Sequence, residues 1–129
     1  MLVRRAAWED VGPFDEGFVH YCEEVDWCMR AKARGWHVAH VPSATVIHRG
    51  AASTAAAVGA SLNHLYDSRA RLHRKHRSHA FRLAARFITR LGLAMERRRL
   101  QRRLQQSGSA SDTAERLAAI ETLLARSGR

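Results

Sequence analysis

The stretch FDEGFVHYCEEVDWCMR, residues 14–30, decides how this sequence of 129 residues is interpreted, because it holds the densest chemistry of the chain. Glu23, Glu24 and Asp26 place three carboxylates within four residues, at the start of a predicted helix that runs to Arg34. The positive end of the helix dipole favours their ionised forms, whereas their mutual repulsion opposes them. A carboxylate that is ionised at neutral pH can accept a proton from an alcohol. The residues alone leave two interpretations open, a general base or a solvated acidic first turn.

Short predicted elements flank this stretch on both sides. A strand is expected to end at residues 2–3, and a short helix is expected over residues 5–11. The helix that starts at the carboxylates is expected to end at Gly35, a residue type typical of that position. Residues 37–41 and the β-branched residues 45–48 predict two further short strands.

The composition is that of a globular chain with an excess of positive charge. There are 22 Lys and Arg against 12 Asp and Glu, so the formal net charge is +10, and 46% of the residues are hydrophobic. These values argue against a wholly disordered chain. No apolar run reaches the roughly 18 residues of a membrane-spanning helix, and the N-terminus has no signal-peptide pattern. Two cysteines exclude a disulfide-dense scaffold, and we expect both thiols to be reduced, as in the cytoplasm.

The positive charge is concentrated in the second part of the chain. Residues 1–50 hold six basic and seven acidic residues, whereas residues 51–129 hold sixteen and five. Residues 55–106 are predicted to be mostly helical, with arginines at every fourth position on one helix face and apolar residues on a different face. The arginines are Arg82, Arg86 and Arg90, and the apolar residues are Phe81, Ala84, Ala85, Ile88, Leu91 and Met95. This pattern predicts an amphipathic basic helix.

Residues 107–129 form the third predicted part, a linker followed by a short terminal helix from about Asp112. Three histidines in the preceding basic segment, His73, His76 and His79, follow one another at every third position. Such a run can bind a transition metal, but histidines among arginines on a basic helix are expected to be solvated surface.

The order of elements around the acidic stretch resembles the C-terminal half of the catalytic domain of family 2 glycosyltransferases, which have the GT-A fold. It is most similar to the rhamnosyl- and galactofuranosyltransferase-like branch, whose members serve cell-envelope polysaccharides. The resemblance is close over residues 1–54 and loose to Arg77. The matching residues are Phe14, Asp15, Glu16, Phe18, Tyr21, Glu23, Glu24, Asp26, Cys28, Arg30, Gly35, Trp36, Val41, Pro42, His48 and Gly50. The sequence departs from the pattern at Pro13, where Gly is usual, and at Glu24, where Asp is common.

The resemblance implies an α/β fold, a partial GT-A domain with few strands over residues 1–54. A basic helical segment over residues 55–106 and a linker with a terminal helix over residues 107–129 complete the expected organisation. The implied reaction is an inverting transfer of a sugar from a nucleotide-diphosphate sugar to a glycan or lipid-linked acceptor. Glu24 is the implied general base, and Glu23 is the second choice.

The resemblance also implies roles for neighbouring residues. His48 would help to hold a divalent metal, Mn²⁺ or Mg²⁺, against the donor diphosphate. Asp26 would contribute to the acceptor side or orient the start of the helix. Tyr21 and Trp27 would line the acceptor side, since flat rings stack on sugar faces, although core packing explains both rings equally well.

The nucleotide-binding half of the family and its Asp-x-Asp metal motif have no counterpart in this sequence. We therefore expect a truncated C-terminal portion, with Met1 as an internal methionine of a longer protein, that is inactive alone. Whether the chain by itself is an enzyme is left open.

The basic helix has three candidate partners. An anionic membrane surface is preferred, which would place the chain in the cytoplasm, peripherally at the inner face of the plasma membrane. Nucleic acid is not expected, because residues 51–129 contain only three aromatic residues and no nucleic-acid-binding signature. The third candidate is the missing domain. The rival hypothesis for the whole chain is a small basic protein that binds membranes or nucleic acid without catalysis.

Overall fold

The computed structural model describes residues 1–47, 58–107 and 111–126, and these ranges contain helices and no β-strand. The helices are α1 (Arg5–Val11), α2 (Glu23–Ala33), α3 (Val58–His76), α4 (His79–Ser107) and α5 (Ser111–Arg126). The expected α/β class, with the few strands of a partial GT-A fold, is therefore wrong for the described part of the chain. Within the same ranges, no helix is long and apolar enough to cross a membrane.

Within the described residues, the segments that were expected to be strands have no neighbouring strand. Residues 2–3 and 37–47 have no helix or strand, apart from a turn at residues 42–43. Four apolar side chains of the second segment are between 53% and 91% exposed, namely Val38, Val41, Val46 and Ile47. A strand depends on hydrogen bonds and side-chain contacts with a neighbour, and β-branched residues alone do not supply them. His48, the last residue of the strand expected over residues 45–48, lies outside the described residues.

Helices α1 and α2 pack around a small apolar cluster. Its buried members are Ala7 and Val11 of α1 and Trp27 and Ala31 of α2. The indole nitrogen of Trp27 donates a hydrogen bond to the carbonyl oxygen of Gly12 at 2.8 Å, just beyond the end of α1. This bond satisfies a carbonyl that the helix leaves open, and the cluster fixes the direction of α2.

The end of α2 confirms the prediction for Gly35. Its φ is 85°, in the left-handed region that glycine adopts without steric cost. The Gly35 N–H bonds to the carbonyl oxygen of Lys32 at 3.1 Å, and the Trp36 N–H bonds to that of Ala31 at 3.0 Å. These two bonds form a Schellman motif, which ends the helix and turns Trp36 back onto the α1–α2 cluster.

Helices α3, α4 and α5 form a second packed unit. Its buried apolar core comes from α4 and α5 and consists of Leu93, Leu100, Ile120 and Leu123. The described part of the expected helical segment 55–106 forms two helices, because the helix is interrupted at residues 77–78. The hydroxyl of Ser78 accepts a hydrogen bond from the N–H of Phe81 at 3.3 Å, at the start of the second helix. The expected terminal helix is confirmed as α5, and its Glu115 accepts a 2.8 Å hydrogen bond from the N–H of Gly59 at the start of α3.

Candidate functional site

The acidic turn, defined as Glu23, Glu24 and Asp26 in the first turn of α2, is entered through an unusual backbone conformation. Tyr21 and Cys22, which directly precede it, both have a φ of 68°. This left-handed conformation costs a residue with a side chain about 1–2 kcal/mol. Backbone strain of this kind is concentrated at functional sites, so the turn is a candidate site.

Contacts with α3 hold the strained residues in place. The hydroxyl oxygens of Tyr21 and Ser61 lie 2.6 Å apart, and the hydroxyl of Ser68 donates to the carbonyl oxygen of His20 at 2.6 Å. The rings of His20 and Tyr21 pack with their centroids 4.1 Å apart. The hydroxyl of the half-buried Tyr21 thus has a structural role, because it bonds to Ser61. The acceptor-side role of Tyr21 stays a prediction.

The two candidate catalytic carboxylates differ in burial. Glu24 is exposed, as a group that must reach a substrate has to be. Glu23 is half-buried, and its Oε2 atom is buried without a hydrogen-bond partner in the described part of the chain. Because an unsatisfied buried carboxylate oxygen is costly, Glu23 has capacity to accept a hydrogen bond from a ligand. Both carboxylates are thus chemically able to act as the predicted general base.

Asp26, by contrast, is fully buried and bonded to other groups of the chain. Its Oδ2 accepts from Nε of Arg30 at 2.9 Å, and its Oδ1 lies 2.7 Å from Nζ of Lys75 and 2.7 Å from Nε2 of His76. Burial alone would raise the pKa of Asp26, but the hydrogen bonds from Lys75, His76 and Arg30 together keep it lowered. The carboxylate is therefore ionised inside the protein, where it anchors α3 to α2.

Asp15 forms a second anchor beside the first. Its carboxylate accepts from Nζ of Lys75 at 2.7 Å, from Arg71 at 2.9 and 3.0 Å, and from the N–H of Gly17 at 2.9 Å. The hydrogen bonds from Lys75, Gly17 and Arg71 hold the pKa of Asp15 far below its ordinary value. Lys75 bridges the two aspartates, and although burial opposes it, this pairing raises the pKa of Lys75. We call Asp15, Asp26, Arg71, Lys75 and His76 the anchor network.

Trp27 is 4% exposed and belongs to the α1–α2 cluster. Its ring stacks on that of Trp8, with the centroids 6.0 Å apart. In this arrangement the ring contacts the protein itself, so of the two explanations that the sequence left open, the geometry supports core packing.

The metal-binding prediction for His48 is not tested by the described residues. His48 lies outside them, and within them no group of three or more His, Cys, Asp or Glu is placed to hold a metal ion. The carboxylates of the acidic turn do not form such a set, since Asp26 is already bonded to cations.

Sequence reasoning missed Arg71, Lys75 and His76. The expectation that His76 is solvated surface is wrong, because its ring bonds to a fully buried carboxylate. One signal pointed towards these residues, namely the opposite charge balance of the two parts of the chain. That signal does not specify which cation meets which carboxylate.

Comparisons with known proteins support a relation to glycosyltransferases over part of the chain. The sequence is 48% identical over 54 residues to N-acetylglucosaminyl-diphospho-decaprenol L-rhamnosyltransferase of Mycobacterium tuberculosis, in strains CDC 1551 / Oshkosh and ATCC 25618 / H37Rv. It is 40% identical over 48 residues to the rhamnosyltransferase WbbL of Escherichia coli K12. These matches cover 42% and 37% of this chain but 18% of each relative. No protein-family model and no solved structure matches the sequence.

Proposed function

We propose that this chain is a C-terminal portion of an inverting glycosyltransferase, in which Glu24 is the general base. The relation to rhamnosyltransferases over 54 residues supports the reaction class. The geometry supports the assignment within the acidic turn. Glu24 is exposed at a strained, firmly anchored helix start, whereas Asp26 is fully buried among cations.

The proposed reaction transfers a sugar from a nucleotide-diphosphate sugar to a hydroxyl of a glycan or lipid-linked acceptor. Glu24 accepts the proton of that hydroxyl as its oxygen attacks the anomeric carbon. The bond from the anomeric carbon to the diphosphate breaks on the opposite face, and the diphosphate leaves with the bonding electrons. Glu23, with its unsatisfied buried oxygen, is the alternative base or a group that orients the hydroxyl.

The roles of the remaining predicted residues are proposals of different kinds. Tyr21 remains a candidate for the acceptor side, whereas Asp26 and Trp27 support the acidic turn from inside the protein. A divalent metal, Mn²⁺ or Mg²⁺, would be held with the help of His48. A cytoplasmic location at the inner face of the plasma membrane also stays a proposal.

The first experiment is to read the DNA upstream of the Met1 codon and to express any longer reading frame that includes this chain. We expect the longer protein to transfer sugar, with nucleotide-linked L-rhamnose as the first donor to test because of the relatives' names. Glu24→Gln should lower kcat by about 10²–10⁴-fold, the usual contribution of a general base. Glu9→Gln, which removes an exposed carboxylate of α1 that is not among the residues matching the family pattern, is the matched control and should retain activity. Equal activity of Glu24→Gln and the unmutated protein would refute the assignment of the base.

A second candidate function, binding to an anionic membrane surface, is favoured by the outward side of α4. Five large apolar side chains there are between 44% and 69% exposed, namely Phe81, Phe87, Ile88, Leu91 and Met95. We call this set the apolar face of α4. At a lipid interface, exposed apolar side chains of this kind can contact the acyl chains, and the neighbouring arginines can contact the anionic headgroups. This function is compatible with the first, and it is the one that remains if no longer reading frame exists.

A further inference from the structure

The outward side of α4 changes its chemical character along the helix. The apolar face of α4 lies within residues 81–95, and the helix continues for three more turns beyond it. Because an α-helix has about 3.6 residues per turn, residues seven positions apart lie within about 20° of the same line along it. Arg98 follows Leu91 by seven positions, and Arg102 follows Met95 by seven. Both arginines therefore continue the line of the apolar face.

An open groove of about 390 Å³ shows that these arginines share one surface with the end of the apolar face. The residues that line it all belong to α4, and they are Met95, Arg98, Arg99, Arg102, Arg103 and Gln106. Arg98 and Arg102 are exposed. The outward side of α4 is thus apolar over its first four turns and cationic over the turns that follow.

The positive charge at this end of α4 is not neutralised by the helix itself. Glu96 is the one acidic residue in the sequence of α4, and its Oε2 lies 3.7 Å from Nη1 of Arg99. Within the part of the chain that the structure describes, neither Arg98 nor Arg102 lies within ion-pair distance of a carboxylate. Their guanidinium groups can therefore bind an anion from outside the chain.

A second copy of this chain does not match the whole surface in either direction. Parallel pairing of two α4 helices would place Arg98 and Arg102 against the same arginines of the other copy, and like charges repel one another. Antiparallel pairing over the full length would bury guanidinium groups against apolar side chains, which is costly without a partner. The matching occupant is apolar opposite residues 81–95 and anionic opposite residues 98–102.

A leaflet of anionic lipid has these two layers, since acyl chains lie beneath its phosphate groups. Ile88 and Arg102 are separated by about 21 Å along the helix axis, so an inclined helix can place them at different depths. The planar guanidinium group binds phosphate oxygens through paired hydrogen bonds. We propose that α4 binds an anionic leaflet at an inclination, with its apolar face in the acyl chains and with Arg98 and Arg102 on headgroup phosphates. This inference rests on the proposed association with anionic membranes, and it adds the orientation of the helix and the residues that bind phosphate.

The first test measures sedimentation of the full chain with phosphatidylcholine vesicles, with and without phosphatidylglycerol. Arg98→Gln with Arg102→Gln should weaken binding to the phosphatidylglycerol vesicles by about tenfold or more, because each arginine at an anionic surface contributes to binding. Binding to pure phosphatidylcholine should change less than twofold. Unchanged binding of this variant to phosphatidylglycerol would overturn the proposal.

The matched control removes two other exposed arginines. Arg4→Gln with Arg74→Gln gives the same net charge, but both residues lie outside α4. Binding to phosphatidylglycerol should fall less than twofold at about 0.15 M salt, where charges more than about 8 Å from a phosphate are largely screened. Equal weakening by the two pairs would show that only net charge matters, which would overturn the proposal.

The second test measures the inclination with a tryptophan at either end of one line along α4. Ile88 and Gln106 are both exposed, and they are about five full turns apart on the same side of the helix. Lipids brominated on their acyl chains should quench the added fluorescence of Ile88→Trp at least threefold more strongly than that of Gln106→Trp. The signal of the unmutated chain, which already contains three tryptophans, is subtracted. Equal quenching would mean that α4 lies flat, and the proposed inclination would be wrong.

The outcomes separate this inference from the membrane function on which it rests. If the unmutated chain bound no phosphatidylglycerol vesicles, both would be refuted. If binding depended on Phe87 and Ile88 but not on Arg98 and Arg102, the membrane function would stand and this inference alone would be refuted. Analytical ultracentrifugation without lipid should show a monomer. A dimer that Phe87→Ser with Ile88→Ser dissociates would assign the apolar face to self-association and overturn the proposal.

Discussion

The imidazole nitrogen Nε2 of His76 lies 2.7 Å from Oδ1 of Asp26, although fifty residues of sequence separate them. Because the Asp26 carboxylate is ionised, it can only accept, so the ring donates this hydrogen bond. The bond joins the last turn of α3 to the first turn of α2. The acidic turn that carries Glu24 is therefore positioned by the basic part of the chain.

Asp26→Asn is expected to destabilise the chain by about 3–5 kcal/mol, because it removes the anionic partner of a buried ion pair. Urea denaturation followed by circular dichroism measures the change in the free energy of unfolding. Asp112→Asn removes a carboxylate from an exposed pair with Arg116, and it should cost about 0.5 kcal/mol or less. A similar small cost for Asp26→Asn would show that the anchor network contributes little.

The stability of the chain should fall as the pH drops below the ordinary aspartate pKa of 3.8. Asp15 and Asp26 have lowered pKa values when folded, so below that pH the unfolded chain binds protons that the folded chain excludes. Their contribution is fully present above pH 3.8 and is lost as the pH falls towards the folded pKa values. We expect Tm to decrease steeply in this range, as measured by thermal denaturation at a series of pH values.

Asp15→Asn should make this decrease in Tm shallower, since one of the two responsible carboxyl groups is gone. Asp67→Asn, which removes a carboxylate paired with Arg126 on the surface, should keep the slope of the unmutated chain. If Asp15→Asn and the unmutated chain lost stability in parallel, another group would have to cause the acid sensitivity.

Phe87→Ser with Ile88→Ser is expected to weaken binding to phosphatidylglycerol vesicles by about 100-fold or more, because each of the two apolar side chains that enters the lipid contributes about 1.5–3 kcal/mol. The two residues are 69% and 67% exposed, so the free energy of unfolding should change by about 0.5 kcal/mol or less. Vesicle sedimentation measures the binding.

Val46→Ser with Ile47→Ser is the matched control for this prediction. It replaces another adjacent apolar pair, 85% and 91% exposed, that lies outside α4. Vesicle binding should be unchanged in the control. Equal weakening in both variants would mean that general hydrophobicity, and not the apolar face of α4, drives the association.

The helices could be predicted because their signals are local. The carboxylates that begin α2 and the glycine that ends it lie within a turn of the positions that they determine, and both predictions are confirmed. The strands predicted over residues 37–41 and 45–48 could not be judged in this way. Their residues favour a strand, but a strand exists only beside another, and the described residues provide no neighbour.

The candidate site could be predicted only in its acidic half. Glu23, Glu24 and Asp26 were found from their spacing, yet the difference in burial between Glu24 and Asp26 depends on which residues α3 brings to them. No short-range pattern specifies that Lys75 meets both Asp15 and Asp26. That pairing results from the packing of helices that are distant in sequence.

The bridge that Lys75 makes between Asp15 and Asp26 limits how the acidic stretch can be reused in protein engineering. Residues 14–30 cannot be transferred to another protein on their own, because two of their carboxylates depend on side chains of α3 for charge compensation. A graft onto another scaffold would have to carry Arg71, Lys75 and His76 with it, or to replace both aspartates by neutral residues. Only the first choice preserves the geometry in which Glu24 is presented.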